Sequence, residues 1–260
     1  MDLLFEIDKT SDSILAFQTL PESFEFHKHT KAQLSFFEGG SAHLYTEAYT
    51  FFVPTNHFVW IPPGLSHKFV HLKKQKYWVW NLYIPVSPSQ QSFYNETGIF
   101  VAHPLVIEVL KICSTREYHA AEYEFKLIQA MVGLLPQLTT DQLMLYLPNS
   151  EHHIMKVALS HILLNLGENL TLNETASRFN LGARTFSRLF EKEIGMTFFQ
   201  YLKTARIMRA TELIIEDKLN LTEIAFEVGY GSIAAFSNAF QSLMDKRPTD
   251  FKNKKHTVSP

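Results

Sequence analysis

Cysteine is nearly missing from this 260-residue chain. The single Cys113 excludes an intrachain disulfide, fits a reducing compartment, and reads as a small apolar filler on a helix. Long apolar runs are missing too. No stretch approaches the ~20 residues that a membrane span needs, and the acidic opening MDLLFEIDKTSDS has no signal-peptide core. The expectation is a cytoplasmic protein with no membrane partner. Low-complexity segments are absent, and so is a strong charge of either sign. The net charge of -2 argues against a non-specific architectural nucleic-acid protein, which would be strongly basic. With 46% apolar and 19% charged residues, the chain can bury one large core or two ordinary ones.

What is present is an internal repeat. TLNETASRFNLGARTFSRLFEKEIG (171–195) and LTEIAFEVGYGSIAAFSNAFQSLMD (221–245) share one pattern. Each starts with a short helix carrying an alanine at a close crossing, Ala176 or Ala225. Four residues later comes a residue that tolerates positive φ, Asn180 or Gly229. An apolar plug follows, Leu181 or Tyr230. A second helix then buries an (i, i+4) phenylalanine pair, Phe186 with Phe190 or Phe236 with Phe240. The spacing predicts two helix-turn-helix units joined by a helix, an arrangement that lays a recognition helix in the DNA major groove.

The charge is unevenly divided. Residues 151–260 hold 14 Lys/Arg against 12 Asp/Glu, whereas residues 1–150 hold 10 against 14. An excess of two cations is modest, so affinity for DNA has to come from placement and dimerisation rather than bulk attraction. On the first recognition helix Phe186, Leu189 and Phe190 are expected inward, leaving Arg184, Thr185, Ser187, Arg188 and Lys192 outward. Arginine either pairs with guanine or clamps phosphate; Lys192 suits backbone or solvent. The second helix offers Ser232, Ala234, Ala235, Ser237, Asn238 and Gln241. Asn238 or Gln241 is able to read adenine, and a backbone-holding role is equally open. Lys246, Arg247, Lys252, Lys254 and Lys255 form a basic tail.

Residues from about 152 to 252 resemble the DNA-binding domain of the AraC/XylS transcription regulators. The resemblance is carried by RTFSRLFEKEIGMTFFQYL (184–202), by Arg206, Ala210 and Leu213 between the motifs, and by IAFEVGYGS (224–232). It implies a double-stranded DNA operator as partner, and RNA polymerase if the protein activates. The chain departs from the family at Asn238, where arginine is common, and at Asp245 and Arg247, where glycine and threonine are usual. Asp245 is able to take the left-handed turn that the glycine provides.

The first half has a different texture. Short runs of Phe, Tyr, Val and Ile up to about residue 85 are broken by Glu38-Gly39-Gly40 and Pro62-Pro63-Gly64, which reads as β structure. All three tryptophans (Trp60, Trp78, Trp80) lie there, and the run from Tyr77 to Ile84 is apolar on both strand faces. Pro85 to Ser92 reads as a break. A helical period begins at Leu105 with Val109 and Ile112. A second helix carries Tyr123, Leu127, Ala130, Met131 and Leu134 and is expected to stop at Pro136. Thr139–Leu147 suggests a further short helix, and Pro148-Asn149-Ser150 a linker. The two apolar stripes on the helices suggest a homodimer interface or packing on their own sheet.

His27-Lys-His29 with Gln33, followed by His67 and His71, is similar in spacing to a cupin barrel. The resemblance implies a site in which two His and a Glu come from one motif and a further His from another. Gln33 stands where the Glu is usual, and His71 where Asn is usual. On a strand His27 and His29 point to one face, so the imidazoles can converge on Zn²⁺, Ni²⁺ or Fe²⁺. Three readings stay open: a metal site on His27, His29 and His67; an organic-effector pocket lined by some of Phe36, Phe37, Tyr45, Trp60, Phe69, Trp78 and Trp80; or a packed barrel with structural histidines.

The expected fold is α+β in two domains. Residues 1–147 form a cupin-like barrel (about 1–85) with flanking helices (about 105–147), for effector sensing and dimerisation. Residues 148–260 form an all-α DNA-binding domain. The expected function is a non-enzymatic, sequence-specific transcription regulator controlled by a small molecule or metal. The alternative is a metal-dependent cupin enzyme carrying a DNA-binding module.

Overall fold

The computed structural model describes residues 7–9, 14–19, 25–72, 78–86, 92–113, 122–139 and 142–253. The expectations for Tyr77, Lys254 and Lys255 lie outside these residues, as does most of the break after Val86. The architecture is α+β, with a sheet-rich N-terminal region and a helical C-terminal region. Its described residues form two compact units: one holds Val53–Met144 and the described chain before Glu47, the other Glu47–Phe52 and the described chain from Leu145 to residue 253.

The strands are β1 (Ile14–Thr19), β2 (Ala32–Glu38), β3 (Ala42–Thr46), β4 (Tyr49–Val53), β5 (His57–Ile61), β6 (His67–His71), β7 (Trp78–Ile84), β8 (Gly98–Val101) and β9 (Tyr146–Pro148). They form a five-stranded sheet in the order β1-β7-β2-β5-β8 and a four-stranded sheet in the order β6-β3-β4-β9. Among the described residues no ladder closes these into a single barrel, which corrects that expectation. The chain changes sheet at corners that release the ladder: Gly39 (φ 80) after β2, Asn56 (φ 59) after β4, and Gly64 (φ 77) after β5. Two strands, β8 and β9, come from beyond residue 85.

Strand alternation divides the first sheet into two chemistries. Ala32, Leu34, Phe36, Phe58, Trp60, Trp80, Leu82 and Ile84 share a core with two helices, α1 (Pro104–Cys113) and α2 (Glu122–Leu138). The helices contribute Val106, Val109, Leu110 and Cys113, and Ile128, Met131, Val132 and Leu135. Each fully buried ring or branched chain adds roughly 1.5–3 kcal/mol of transfer energy. Phe36, Trp60 and Trp80 are therefore core rather than pocket lining. Burial and nearby Glu124 push the Cys113 thiol up to about 11, so Cys113 is the inert filler expected.

Helix α2 passes through Pro136 and ends at Leu138, beyond the expected stop. Proline has no N–H to offer the carbonyl four residues back, which is that of Val132. The Tyr94 hydroxyl donates to that carbonyl at 2.8 Å, so the helix keeps a satisfied last turn. The apolar stripes are also shifted from expectation. Val109 and Met131 are buried in their own subunit and Leu127 packs partly against the same core, whereas Leu105, Ile112, Tyr123 and Leu134 are exposed.

The second unit begins with a short ladder rather than the expected helix over 139–147. Leu145 and Leu147 are buried on either side of half-buried Tyr146, a period of two. Phe51 pairs with Tyr146 and Tyr49 with Pro148. Asn149 is no free linker, because its N–H donates to Ala48 O at 2.7 Å. The helices that follow are α3 (His153–Leu164), α4 (Leu172–Ser177), α5 (Ala183–Ile194), α6 (Phe198–Glu216), α7 (Leu221–Glu227), α8 (Ile233–Met244) and α9 (Pro248–Asn253).

Their ends follow capping chemistry. Thr171 caps α4, while Thr197 with Gln200 and Asn220 with Glu223 form capping boxes at α6 and α7. Helix α6 buries Phe198, Tyr201, Leu202, Ala205, Ile207, Met208 and Ala210 on more than one face, because α7 and α8 as well as α5 pack on it.

Candidate functional site

The two repeats fold alike. In the first, Leu181 N–H donates to Ala176 O at 3.1 Å across a turn in which Asn180 has φ 55. In the second, Tyr230 N–H donates to Ala225 O at 2.8 Å with Gly229 at φ 85. Ala176 and Ala225 are wholly buried, since a longer side chain would hold the helices apart. Phe186, Phe190 and Ile194 of α5 match Phe236, Phe240 and Met244 of α8, all buried. Gly195 (φ 71) ends α5, and Asp245 (φ 50) ends α8 in the same left-handed conformation, with its N–H on Gln241 O. The side chain that replaces glycine here is one that tolerates this turn.

On α5, Arg184, Thr185, Arg188 and Lys192 are exposed and line one shallow concavity together with Leu189 and Glu191. Two of these were not expected there. Leu189 is only half-buried, and Glu191 adds an acceptor to an otherwise cationic row. The spacing of Glu191, seven after Arg184, placed it on this face. Ser187 is half-buried, and its hydroxyl donates to Glu191 Oε1 at 3.1 Å instead of standing free. Lys192 pairs with Glu193 at 3.3 Å. On α8, Ser232, Ala234, Ala235, Asn238 and Gln241 are exposed and Ser237 is half-buried. Ser232 caps the helix by accepting from Ala235 N–H, which occupies its hydroxyl.

The turn of the second motif is fastened to the loop after α3. Arg206 of α6 donates to Leu166 O at 3.0 Å and Glu168 O at 2.8 Å, and its guanidinium lies 5.6 Å from the Tyr230 ring centroid. At Gly229 a Cβ would strike Leu166 O and the Arg206 guanidinium; at Gly167 it would lie 2.7 Å from Glu227 O. These backbones touch only because both positions are glycine.

In the sheet-rich unit, His27, His29 and His67 come together, with ligand atoms within 4.8 Å of one another. His27 forms an antiparallel bridge with His67, which brings the loop before β2 beside β6. The ring centroids are 4.5 Å apart for His27 and His67, and 5.2 Å for His29 and His67. Gln33 joins them: its Oε1 is 2.9 Å from His29 Nε2 and 3.0 Å from His67 Nε2. Behind it, Gln33 Nε2 donates to Ser35 Oγ at 2.8 Å and Asn81 Oδ1 at 3.1 Å. Tyr83 stands edge-on to His29 at 5.1 Å. Burial is the main cause that lowers the His27 pKa and takes that of His67 down to about 3, so His67 is neutral and has a lone pair to give.

His71 does not join the cluster. It packs against Phe37 and Phe69, at 6.1 and 6.4 Å between ring centroids, and burial lowers its pKa to about 4. Ser35, Asn81 and Tyr83 were not foreseen at this site. Their signal was polarity at alternate positions of otherwise apolar strands.

Tandem helix-turn-helix motifs on a shared helix, each with a polar outward second helix, define a DNA-binding transcription regulator. Residues 175–254 match the family model described as a helix-turn-helix domain. The chain is similar to the HTH-type transcriptional regulator NimR of Escherichia coli, with 25% identity over 90% of this chain and 84% of that one. It is similar to the uncharacterized HTH-type transcriptional regulator YobQ of Bacillus subtilis, with 23% identity over 95% of this chain and 96% of that one. Among solved structures it is similar to the C-terminal domain of AraT, a response regulator from Geobacillus stearothermophilus. The identity there is 30% and the TM-score 0.39, over 41% of this chain and 88% of that one. Residues 175–254 therefore carry a helix-turn-helix domain of the AraC type.

Proposed function

We propose that the protein is an effector-controlled, sequence-specific regulator in which α5 reads bases and α8 mainly holds the DNA backbone. The observation that carries this is the row Arg184, Thr185, Arg188 and Lys192 on α5, set against the uncharged Ser232, Ser237, Asn238 and Gln241 on α8. A bidentate Arg–guanine pair discriminates by roughly 1–3 kcal/mol, while a phosphate contact carries no direct sequence information. Binding-site selection at fixed salt tests the assignment. Arg184→Ala or Arg188→Ala is expected to relax base preference at a defined position, and Asn238→Ala to weaken binding evenly. Altered preferred bases in Asn238→Ala alone would reverse the roles.

In this reading residues 1–147 sense and dimerise, and residues 148–260 bind the operator. The protein acts in the cytoplasm, and RNA polymerase is a partner if it activates. The exposed set Leu105, Ile112, Tyr123 and Leu134 supports a homodimer. The effector site is the His27, His29 and His67 cluster with Gln33. Its clustered imidazoles, with His29 and His67 buried and His27 half-buried, suit a divalent transition metal, and the large aromatics of the first sheet are taken up by the helix-packed core. A metal-dependent enzyme is the weaker alternative, because Gln33, Ser35, Asn81 and Tyr83 behind the imidazoles include no carboxylate for acid–base work.

A further inference from the structure

Helix α5 carries one carboxylate among the cations of its outward face. Glu191 is exposed and lines the same concavity as Arg184, Arg188 and Lys192. At about 100° of turn per residue it stands about 20° around the helix axis from Arg184 and about 60° from Arg188. Every phosphate of a duplex repels a carboxylate placed there, so by charge alone Glu191 lowers affinity for all sequences alike. A neighbouring cation would cancel that repulsion, but none is placed to do so. Lys192 pairs with Glu193 at 3.3 Å, and among the described residues Glu191 has no ion pair.

Glu191 is held instead by a hydroxyl. Ser187 Oγ donates to Glu191 Oε1 at 3.1 Å, one helical turn away. The hydroxyl has a single proton, and with that proton engaged Ser187 presents only lone pairs. The second carboxylate oxygen, Oε2, has no partner among the described residues. Ser187 and Glu191 thus make one flank of α5 an acceptor surface, while Arg184 and Arg188 beside it offer only donors. Among the described residues neither arginine is engaged by a hydrogen bond or ion pair.

The base edges of the major groove sort these two surfaces. Guanine O6 and N7 suit arginine and repel a carboxylate, as thymine O4 does. Adenine has an N6 amino donor, but its N7 acceptor lies beside it. Cytosine alone presents an amino donor, N4, with no acceptor on its own edge. The second motif supplies an internal comparison. Phe236 and Phe240 match Phe186 and Phe190, which places Ser237 and Gln241 of α8 where α5 has Ser187 and Glu191. The Gln241 amide both donates and accepts and so suits adenine, whereas a carboxylate only accepts.

We propose that Glu191 is a specificity-determining residue of α5, accepting from a cytosine N4 amino group while Ser187 fixes its rotamer. This rests on the reading that α5 is the base-reading helix. With α5 along the groove, a rise of about 1.5 Å per residue puts Glu191 about 4.5 Å beyond Arg188 and about 10 Å beyond Arg184. At about 3.4 Å per base-pair step, the cytosine lies about one step from the base met by Arg188 and about three from that met by Arg184.

The test is binding-site selection with the full chain at fixed salt, followed by titration of the selected duplex and a scrambled one. Wild type is expected to prefer cytosine at that step, with any other base weakening binding by roughly tenfold. Glu191→Gln is expected to move the preference from cytosine towards adenine at that one position. Glu191→Ala is expected to accept all four bases there and to bind the scrambled duplex several-fold more tightly, because a phosphate-repelling charge has gone. Ser187→Ala is expected to keep cytosine first by a smaller margin; an unchanged margin overturns the positioning by Ser187. Circular dichroism checks that each variant is folded. Arg184→Ala and Arg188→Ala are compared in the same selection. Base preferences that change in the arginine variants but not in the Glu191 variants overturn the role of Glu191 while α5 stays the reader. Uniform tightening of Glu191→Ala on an unchanged motif makes Glu191 a solvated charge only. If no α5 variant changes the preferred bases, the reading of α5 as the base-reading helix falls as well.

Discussion

Replacing Gly229 with alanine separates backbone strain from close packing in the second motif. Gly229 has φ 85, where a Cβ costs about 1 kcal/mol or somewhat more. That Cβ would also strike Leu166 O and the guanidinium of Arg206, which holds Leu166 O at 3.0 Å. Loss of a hydrogen bond from a charged donor adds about 1.5–3 kcal/mol, so the total reaches roughly 3 kcal/mol. The first motif provides the control. Asn180 has φ 55 and already carries a Cβ, so Asn180→Ala involves only strain, about 1 kcal/mol or less. All three tryptophans, at 60, 78 and 80, lie in the sheet-rich half, and the two motifs are helical. Most of the helix lies in the second unit, so urea unfolding followed by far-ultraviolet circular dichroism reports mainly the motifs, with a smaller part from α1 and α2, and tryptophan fluorescence reports the other half. Gly229→Ala is expected to move the helical transition far more than Asn180→Ala and to leave the fluorescence transition in place. Equal losses in the two variants would refute the packing argument, leaving strain alone.

Three further expectations can be checked with similar tools. Tyr94→Phe leaves Val132 O without its donor and is expected to cost about 1–2 kcal/mol. Pro136→Ala restores an N–H to that carbonyl, so the double variant should recover most of the loss; additive losses in a double-mutant cycle would contradict this. Burial lowers His43 and His71 from 6.5 to about 4, so the unfolded chain takes up these protons first as pH falls. The stability they provide is complete above about pH 6.5 and declines towards pH 4, by roughly 3 kcal/mol for His43. His43→Phe should flatten the midpoint–pH curve over that window. Ile112→Glu with Leu134→Glu is expected to give folded monomers by sedimentation, because both side chains are exposed; Met131→Glu, at a buried position, is expected to unfold the sheet-rich unit instead.

The sequence by itself determined the helical half. Ala176, Asn180, Leu181 and Phe186 act on one another within ten residues, and capping residues such as Asn220 and Glu223 act within three. Such short-range chemistry is written in the order of the chain, which is why the turn at Asp245 was legible although the usual glycine is absent. Tertiary structure alone decided the sheet-rich half. Gln33 and Asn81 stand 48 positions apart and meet because β2 pairs with β7 in one register. A slip of one residue would send Gln33 to the helix-packed face. Periodicity over 139–147 suggested a helix, yet the free edge of β4 took Tyr146–Pro148 as a strand. Pro136 signalled a stop, yet a hydroxyl from Tyr94, 38 positions from Val132, kept the turn satisfied. His71 shares a strand with His67 but packs against Phe37 and Phe69 instead of joining the cluster. In each case the deciding partner is distant in sequence, and only the pairing of strands and the packing of helices upon them brings it near.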